Sequence, residues 1–227
     1  MSLAERLGDA QSRIASAAAA SGRSAADVKL VVVTKNHPAQ LVLDLLELGA
    51  RDFGENRDQE AAPKAAEVRD ASSIEHNWHF IGQLQSNKAK SVVSYASSIH
   101  SLDRQSLLDA LGKATADRQS PLDVFIQLNL TDDPGRGGIQ DANLLAFAEN
   151  VLVHPGLNLV GVMGVAALDN QLERDFGLIR EASEKLQTLK PTANQISAGM
   201  SEDFETAIAF GATHVRIGSA ITGKRQY

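Results

Sequence analysis

Lys29-Leu-Val-Val-Val-Thr34, followed by a helical pattern from Ala39 to Leu48 and closed by Gly49, is the stretch that decides the fold. Three consecutive valines are stiff at χ1 and suit a pleated strand, and the leucine spacing after Pro38 repeats with helical period. Together they make one βα unit. Downstream the alternation continues, with strand candidates near Arg51–Gly54, Asn77–Gly82, Ser98–Leu102, Leu122–Leu130, Leu157–Met163, Ala193–Ser197 and Thr213–Ile217. Helical segments of roughly 10–20 residues are expected between them, as crossovers between parallel strands require. Asp103 and Asp141 are placed to cap helices, and Pro63 falls where a helix would kink. Upstream, Leu3, Leu7, Ala10, Ile14 and Ala17 recur at helical spacing, so residues 2–20 predict an amphipathic helix ending near Ser21-Gly22.

Eight alternating units without a break in composition favour a closed (β/α)8 TIM barrel in the α/β class. An open doubly wound sheet leaves similar local signals. At 227 residues the chain suits one such domain spanning residues 1–227, with residues 1–22 as a helix packed on the barrel. The net charge of −6 opposes binding to nucleic acid, which needs a basic face to displace counterions. Zero cysteines exclude disulfides and thiolate chemistry, and a reducing cytoplasm fits that composition. Glu5 and Asp9 stand where a secretory segment would be apolar, and no apolar run approaches the roughly 20 residues of a membrane span. There is no His-Glu-x-x-His, Gly-x-Ser-x-Gly or phosphate loop ending in Lys-Ser or Lys-Thr. A metal centre is not expected, and Asp132-Asp133 reads as solvated charge.

Lys35 follows directly on the first strand and by period two shares a face with Val31 and Val33. If that face is the barrel interior, its amine sits in the mouth, where burial favours the neutral form that attacks carbonyls. The alternative is a lysine that snorkels at a strand end. Arg216 interrupts the last strand, His214-Val-Arg-Ile217. A guanidinium there needs acceptors or water, and a structural ion pair is its plainer use. In a closed barrel the first and eighth strands are neighbours, so Lys35 and Arg216 share a sector and imply an anionic or electron-rich ligand. Ser197-Ala-Gly-Met-Ser201 and Gly218-Ser219 follow strands seven and eight, where barrels often bind phosphate on free amides. The same residues also read as turns and caps, with Ser201 capping and Glu202 and Asp203 facing the helix dipole. Asn56 and His79 lie near the outlets of strands two and three. Each has a plainer reading, a helix cap and a core histidine. Gln83-Leu-Gln-Ser-Asn-Lys88 is read as a cap for the next helix or a surface for a partner.

Thr34-Lys35, Phe53-Gly-Glu-Asn56, Trp78-His-Phe-Ile-Gly-Gln-Leu-Gln-Ser-Asn-Lys88, Gly199-Met-Ser201 and Val215-Arg-Ile-Gly-Ser219 together resemble the pyridoxal phosphate homeostasis proteins, a YggS-like family. The resemblance runs from about Val28 to Arg225. It implies a barrel like the N-terminal domain of alanine racemase, pyridoxal phosphate fold type III, with pyridoxal 5′-phosphate (PLP) held as an internal aldimine on Lys35. By the same resemblance Arg216 partners the pyridine nitrogen, Gly218, Ser219 and Ser201 hold the phosphate, and Asn56, His79 and Met200 line the pocket. The implied role is carrying or buffering PLP, with PLP-dependent apoenzymes as possible recipients, a monomeric state and no robust turnover. Departures from the family pattern are Asn36-His37-Pro38 after the lysine, Arg136 where a lysine is common, and Thr222 for a frequent aromatic. They leave open whether His37 or Arg136 takes an auxiliary role.

The physical reading agrees on turnover, because an arginine cannot readily protonate the pyridine nitrogen and so weakens the ring as an electron sink. Racemisation also needs an acid/base on the opposite face, and neither Tyr95 nor Tyr227 is placed at a strand outlet. A small racemase-like PLP enzyme, with His79 as base, remains an alternative, as does a phosphosugar aldolase or isomerase using Lys35.

Overall fold

The computed structural model describes residues 1–131, 137–167 and 171–223. Arg136, Asp132-Asp133 and Tyr227, singled out above, lie outside them. Eight parallel strands close in sequence order: β1 (Lys29–Val33), β2 (Asp52–Glu55), β3 (Asn77–Phe80), β4 (Ser98–Leu102), β5 (Leu122–Gln127), β6 (Leu157–Met163), β7 (Gln195–Ser197) and β8 (His214–Ile217). The helices are α1 (Leu3–Ala20), α2 (Ala39–Glu47), α3 (Asp58–Ala71), α4 (Ala89–Val93), α5 (Gln105–Ala114), α6 (Leu144–Leu152), α7 (Leu172–Leu189), α8 (Phe204–Ala209) and α9 (Ser219–Thr222). Closure pairs β1 with β8 in the register Val31↔Arg216 and Val32↔Ile217.

Alternation along β1 sorts the valines as expected. Val32 joins the large apolar core between sheet and helices. Val33 faces the barrel mouth, and Val31 points at the inward position of Gly54. α1 begins with a capping box, Ser2 Oγ accepting from the Glu5 amide and Glu5 Oε2 from the Ser2 amide. Its buried stripe is Leu7, Ala10, Ile14 and Ala18. It packs on α8 and α9, with the Arg13 guanidinium 4.7 Å from the Phe204 ring centre and 2.5 Å from Glu205.

Several local expectations are corrected. Neither Asp103 nor Asp141 caps a helix: Asp103 Oδ1 pairs with Arg104 at 2.5 Å, and Asp141 with Lys185 at 2.8 Å. Each carboxylate has a cation in reach and is drawn to it. Pro63 lies inside α3. It sits on the exposed face, so the Gln59 carbonyl it leaves without a donor can be solvated. The crossover after β3 is a 3-10 turn, Ser86–Lys88, running into a five-residue α4, and α8 has only six residues, both shorter than expected. No Gln83–Lys88 side chain forms a cap bond. β3 stops before Gly82, which lies against the Asn56 backbone, and β5 stops before Leu130 because Asn129 Oδ1 takes the Thr131 amide at 3.0 Å in a tight turn.

Gly161 shows how closely the sheet is packed, since a Cβ there would fall onto the Gln195 carbonyl of β7. Because the obstacle is backbone, Gly161→Ala must part β6 from β7. We expect a loss of about 1–3 kcal/mol, read as a lower midpoint in urea unfolding. A midpoint unchanged from native would show that the pair can slide apart without cost.

Candidate functional site

A cavity of about 620 Å³ opens among the strand outlets, within the roughly 300–1,000 Å³ usual for small-molecule sites. Lys35 from the end of β1 and Arg216 from β8 both line it. Asn56, Met200, Ser201, Gly218 and Ser219 line it too, as do His37 and Thr222, both at departures from the family pattern. Val33, Ile81 and Val165 give it an apolar wall. Seven of the eight residues read from sequence as binding residues therefore meet in one place. His79 is the exception.

Opposite ends of the site differ in chemistry. Gly218 precedes the α9 turn, whose first amides have no partner within the helix, and its own amide lies 3.4 Å from Ser201 Oγ. Ser201 does not cap α8. Asp203 stands at that position, and its carboxylate turns back to the Met200 amide at 2.5 Å. Neither Glu202 nor Asp203 lines the cavity, although the Asp203 charge reaches Arg216. At the other end Asn56 Oδ1 is buried without a hydrogen-bond partner, an acceptor left for a donor within the site.

Lys35 is half-buried and held between two fixed peptides. On one side the Thr34 carbonyl accepts from Lys64 Nζ at 2.9 Å, and Thr34 Oγ1 donates to Glu55 Oε1 at 2.7 Å. On the other, Asn36 adopts a left-handed φ of 62°, which asparagine tolerates, and its amide donates to Glu60. Lys64 Nζ bridges the two carboxylates, 2.7 Å from Glu55 and 2.9 Å from Glu60. Burial pushes the Glu55 carboxyl above its ordinary range, with Lys64 and Thr34 opposing. Nothing in the sequence pairs Lys64 with Glu55. The hint was a lysine on the apolar face of an otherwise charged helix.

His79 lies below the cavity, inside the barrel. Its phase points it inward, but its register, opposite Gly54, sets it a layer too deep. Nε2 is 2.8 Å from Asp52 Oδ1, and Nδ1 is 2.7 Å from Ser98 Oγ and 3.0 Å from His100 Nε2. His100 Nδ1 meets Ser197 Oγ at 2.7 Å, and Ser197 Oγ accepts from Arg216 Nη1 at 2.7 Å. Arg216 Nη2 donates to the Gly164 carbonyl at 3.0 Å. Burial lowers both His79 and His100, the latter well below the usual imidazole range, and takes His214 to about 3. Asp52 is lowered overall, because His79 and Lys29 outweigh the cost of its burial.

Residues 10–226 match the family described as alanine racemase, N-terminal domain. The pyridoxal phosphate homeostasis protein of Escherichia coli (strain K12) is 37% identical over 228 residues, covering 99% of this chain and 97% of that protein. The chain belongs to the pyridoxal phosphate homeostasis protein family. A solved member, PipY of Synechococcus elongatus with PLP bound, superposes with a TM-score of 0.85 at 32% identity, covering 98% of this chain and 100% of that one. Alanine racemase from Corynebacterium glutamicum shares the fold, with a TM-score of 0.71 at 15% identity over 99% of this chain and 61% of its own.

The residues present fit the family's cofactor. A lysine amine, an anion cradle free of carboxylates and a buried guanidinium surround one space, and an unpartnered amide oxygen faces the same region. Among the described residues no group of His, Cys, Asp and Glu is arranged to hold a metal. Nor is any helix among them long and apolar enough to cross a membrane.

Proposed function

We propose that this member of the pyridoxal phosphate homeostasis family binds PLP in the barrel mouth and carries or buffers it without robust turnover. The convergence of Lys35 and Arg216 on one cavity carries the reading. Bound PLP would supply an aldehyde, and Lys35 would be the amine that holds it. Ser201, Gly218 and Ser219 would hold its phosphate, Asn56 and Met200 would line the ring's place, and Arg216 would be the partner of the pyridine nitrogen. Because a guanidinium keeps its proton, it leaves that nitrogen unprotonated and the ring a poor electron sink, which disfavours carbanion chemistry. Burial lowers Arg216 only to about 10, so it stays cationic at neutral pH.

The racemase-like alternative weakens with its base, since His79 does not line the cavity. We further place the protein as one 1–227 domain, monomeric and cytoplasmic, with PLP-dependent apoenzymes as recipients. The absence of cysteine supports a reducing compartment.

Borohydride reduction of the protein loaded with PLP, followed by peptide mass analysis, tests the attachment. A pyridoxyl group on Lys35 is expected. Label on a different lysine would refute the assignment, and no label with no visible absorption band would reject PLP binding itself.

A further inference from the structure

The guanidinium of Arg216 is buried, and among the described residues no carboxylate forms an ion pair with it, Asp203 favouring its charge only from beyond ion-pair distance. A buried charge without a direct partner is costly. The hydrogen-bond directions lead to a second carboxylate. Arginine only donates and a carboxylate only accepts, so a neutral His79 that donates to Asp52 presents a lone pair on Nδ1, and His100 Nε2, 3.0 Å from it, must carry the proton. His100 Nδ1 is then an acceptor, so Ser197 Oγ accepts from Arg216 and gives its own hydrogen to His100 Nδ1. His100 Nε2 also lies 3.1 Å from Ser98 Oγ. Ser98 in turn donates to His79 Nδ1, and His79 Nε2–H donates to Asp52. Every link runs one way, from the cavity floor to the entrance of β2. There Asp52 meets Lys29, at the start of β1 and partly exposed at the opposite end of the barrel.

We propose that Asp52 is a further, remote counter-carboxylate of Arg216, coupled to it through Ser197, His100, Ser98 and His79, and that this chain positions the guanidinium for its ligand. These are positioning residues, because none but Arg216 lines the cavity. A string of neutral dipoles aligned between a cation and an anion stabilises both ends, and low dielectric strengthens each link. Phe125 supports the middle, its ring centre 4.3 Å from that of His100. His214, also buried, bonds instead to Thr213 Oγ1 at 2.9 Å and stands outside the chain. The proposal rests on the reading of the cavity as a PLP site only for the identity of the ligand.

Nitrogen-15 NMR of the histidine side chains in protein without PLP tests the chain directly. His79 and His100 are each expected to be neutral at pH 7 and protonated on Nε2 alone. A proton on Nδ1 of either, or two protons on one ring, would overturn the chain whatever the protein binds. PLP titration then tests the coupling. Asp52→Asn and Ser197→Ala should weaken binding by roughly five- to tenfold, the low end of coupling between distant sites, and shift the bound cofactor's absorption. Glu205→Gln, which removes a surface ion pair, should do neither. Folded Asp52→Asn protein that binds within about twofold of native, with an unshifted spectrum, would refute the role. Failure of the native protein to bind PLP would sink the functional reading instead and leave the NMR result standing.

Discussion

Lys35→Ala protein should emerge from a desalting column without cofactor and without visible absorption, whereas native protein should keep both. What remains in the variant is the phosphate cradle and Arg216. Hydrogen bonds to charged groups contribute about 1.5–3 kcal/mol each, so three at Ser201, Gly218 and Ser219 supply roughly 5–9 kcal/mol. Before the cost of immobilising the ligand, which weakens binding further, that corresponds to a Kd between about 0.2 mM and 0.2 µM. Such a complex dissociates during gel filtration. The far-ultraviolet spectrum should be unchanged, because Lys35 lies just beyond β1 and lines the cavity. Retention of stoichiometric cofactor with the native band would show that another amine makes the bond. Lys64 is poorly suited to replace it, being buried and committed to Thr34, Glu55 and Glu60.

Position along a strand explains what the sequence revealed and what it hid. Period two identifies which side chains point into the barrel, and it assigned Val31, Val33 and Lys35 to one face and Arg216 to the neighbouring strand. Both cations stand at or near strand ends, where facing inward also means facing the mouth. His79 obeys the same parity, yet facing inward is not the same as reaching the mouth. Depth depends on register between strands, here Gly54↔His79 and His79↔Ser98, which comes from three-dimensional closure. His100 and Ser197 carried the same hidden signal: polar residues at inward positions of strands that otherwise read as apolar. The cap predictions at Asp103 and Asp141 failed for another reason. A carboxylate next to a helix start satisfies the local rule, but Arg104 and Lys185 compete for it, and the second of these comes from a distant helix.

Lys64→Met should be the most destabilising single change on the rim of the site. Methionine fills similar space but leaves Glu55, whose side chain is 1% exposed, without a cation and beside Glu60. Removing one partner of a buried pair costs about 3–5 kcal/mol, which for a chain of this size lowers Tm by roughly 6–20 °C. The pH dependence separates this cause from simple loss of packing. Glu55 is already raised above its unfolded value with Lys64 present, and losing that cation raises it further. An acid raised on folding favours the folded state below its unfolded pKa and loses that contribution as pH rises through the folded one. The deficit of Lys64→Met relative to native should therefore be largest near neutral pH and shrink as pH falls toward about 4.5. Adding Glu55→Gln, which cannot ionise, should recover much of the loss at pH 7. A deficit under about 1 kcal/mol, or one that grows on acidification, would count against the buried-charge account. Because the same lysine fixes the Thr34 carbonyl and the carboxylate that holds the Asn36 amide, the variant that does fold should also attach PLP at Lys35 more slowly than native.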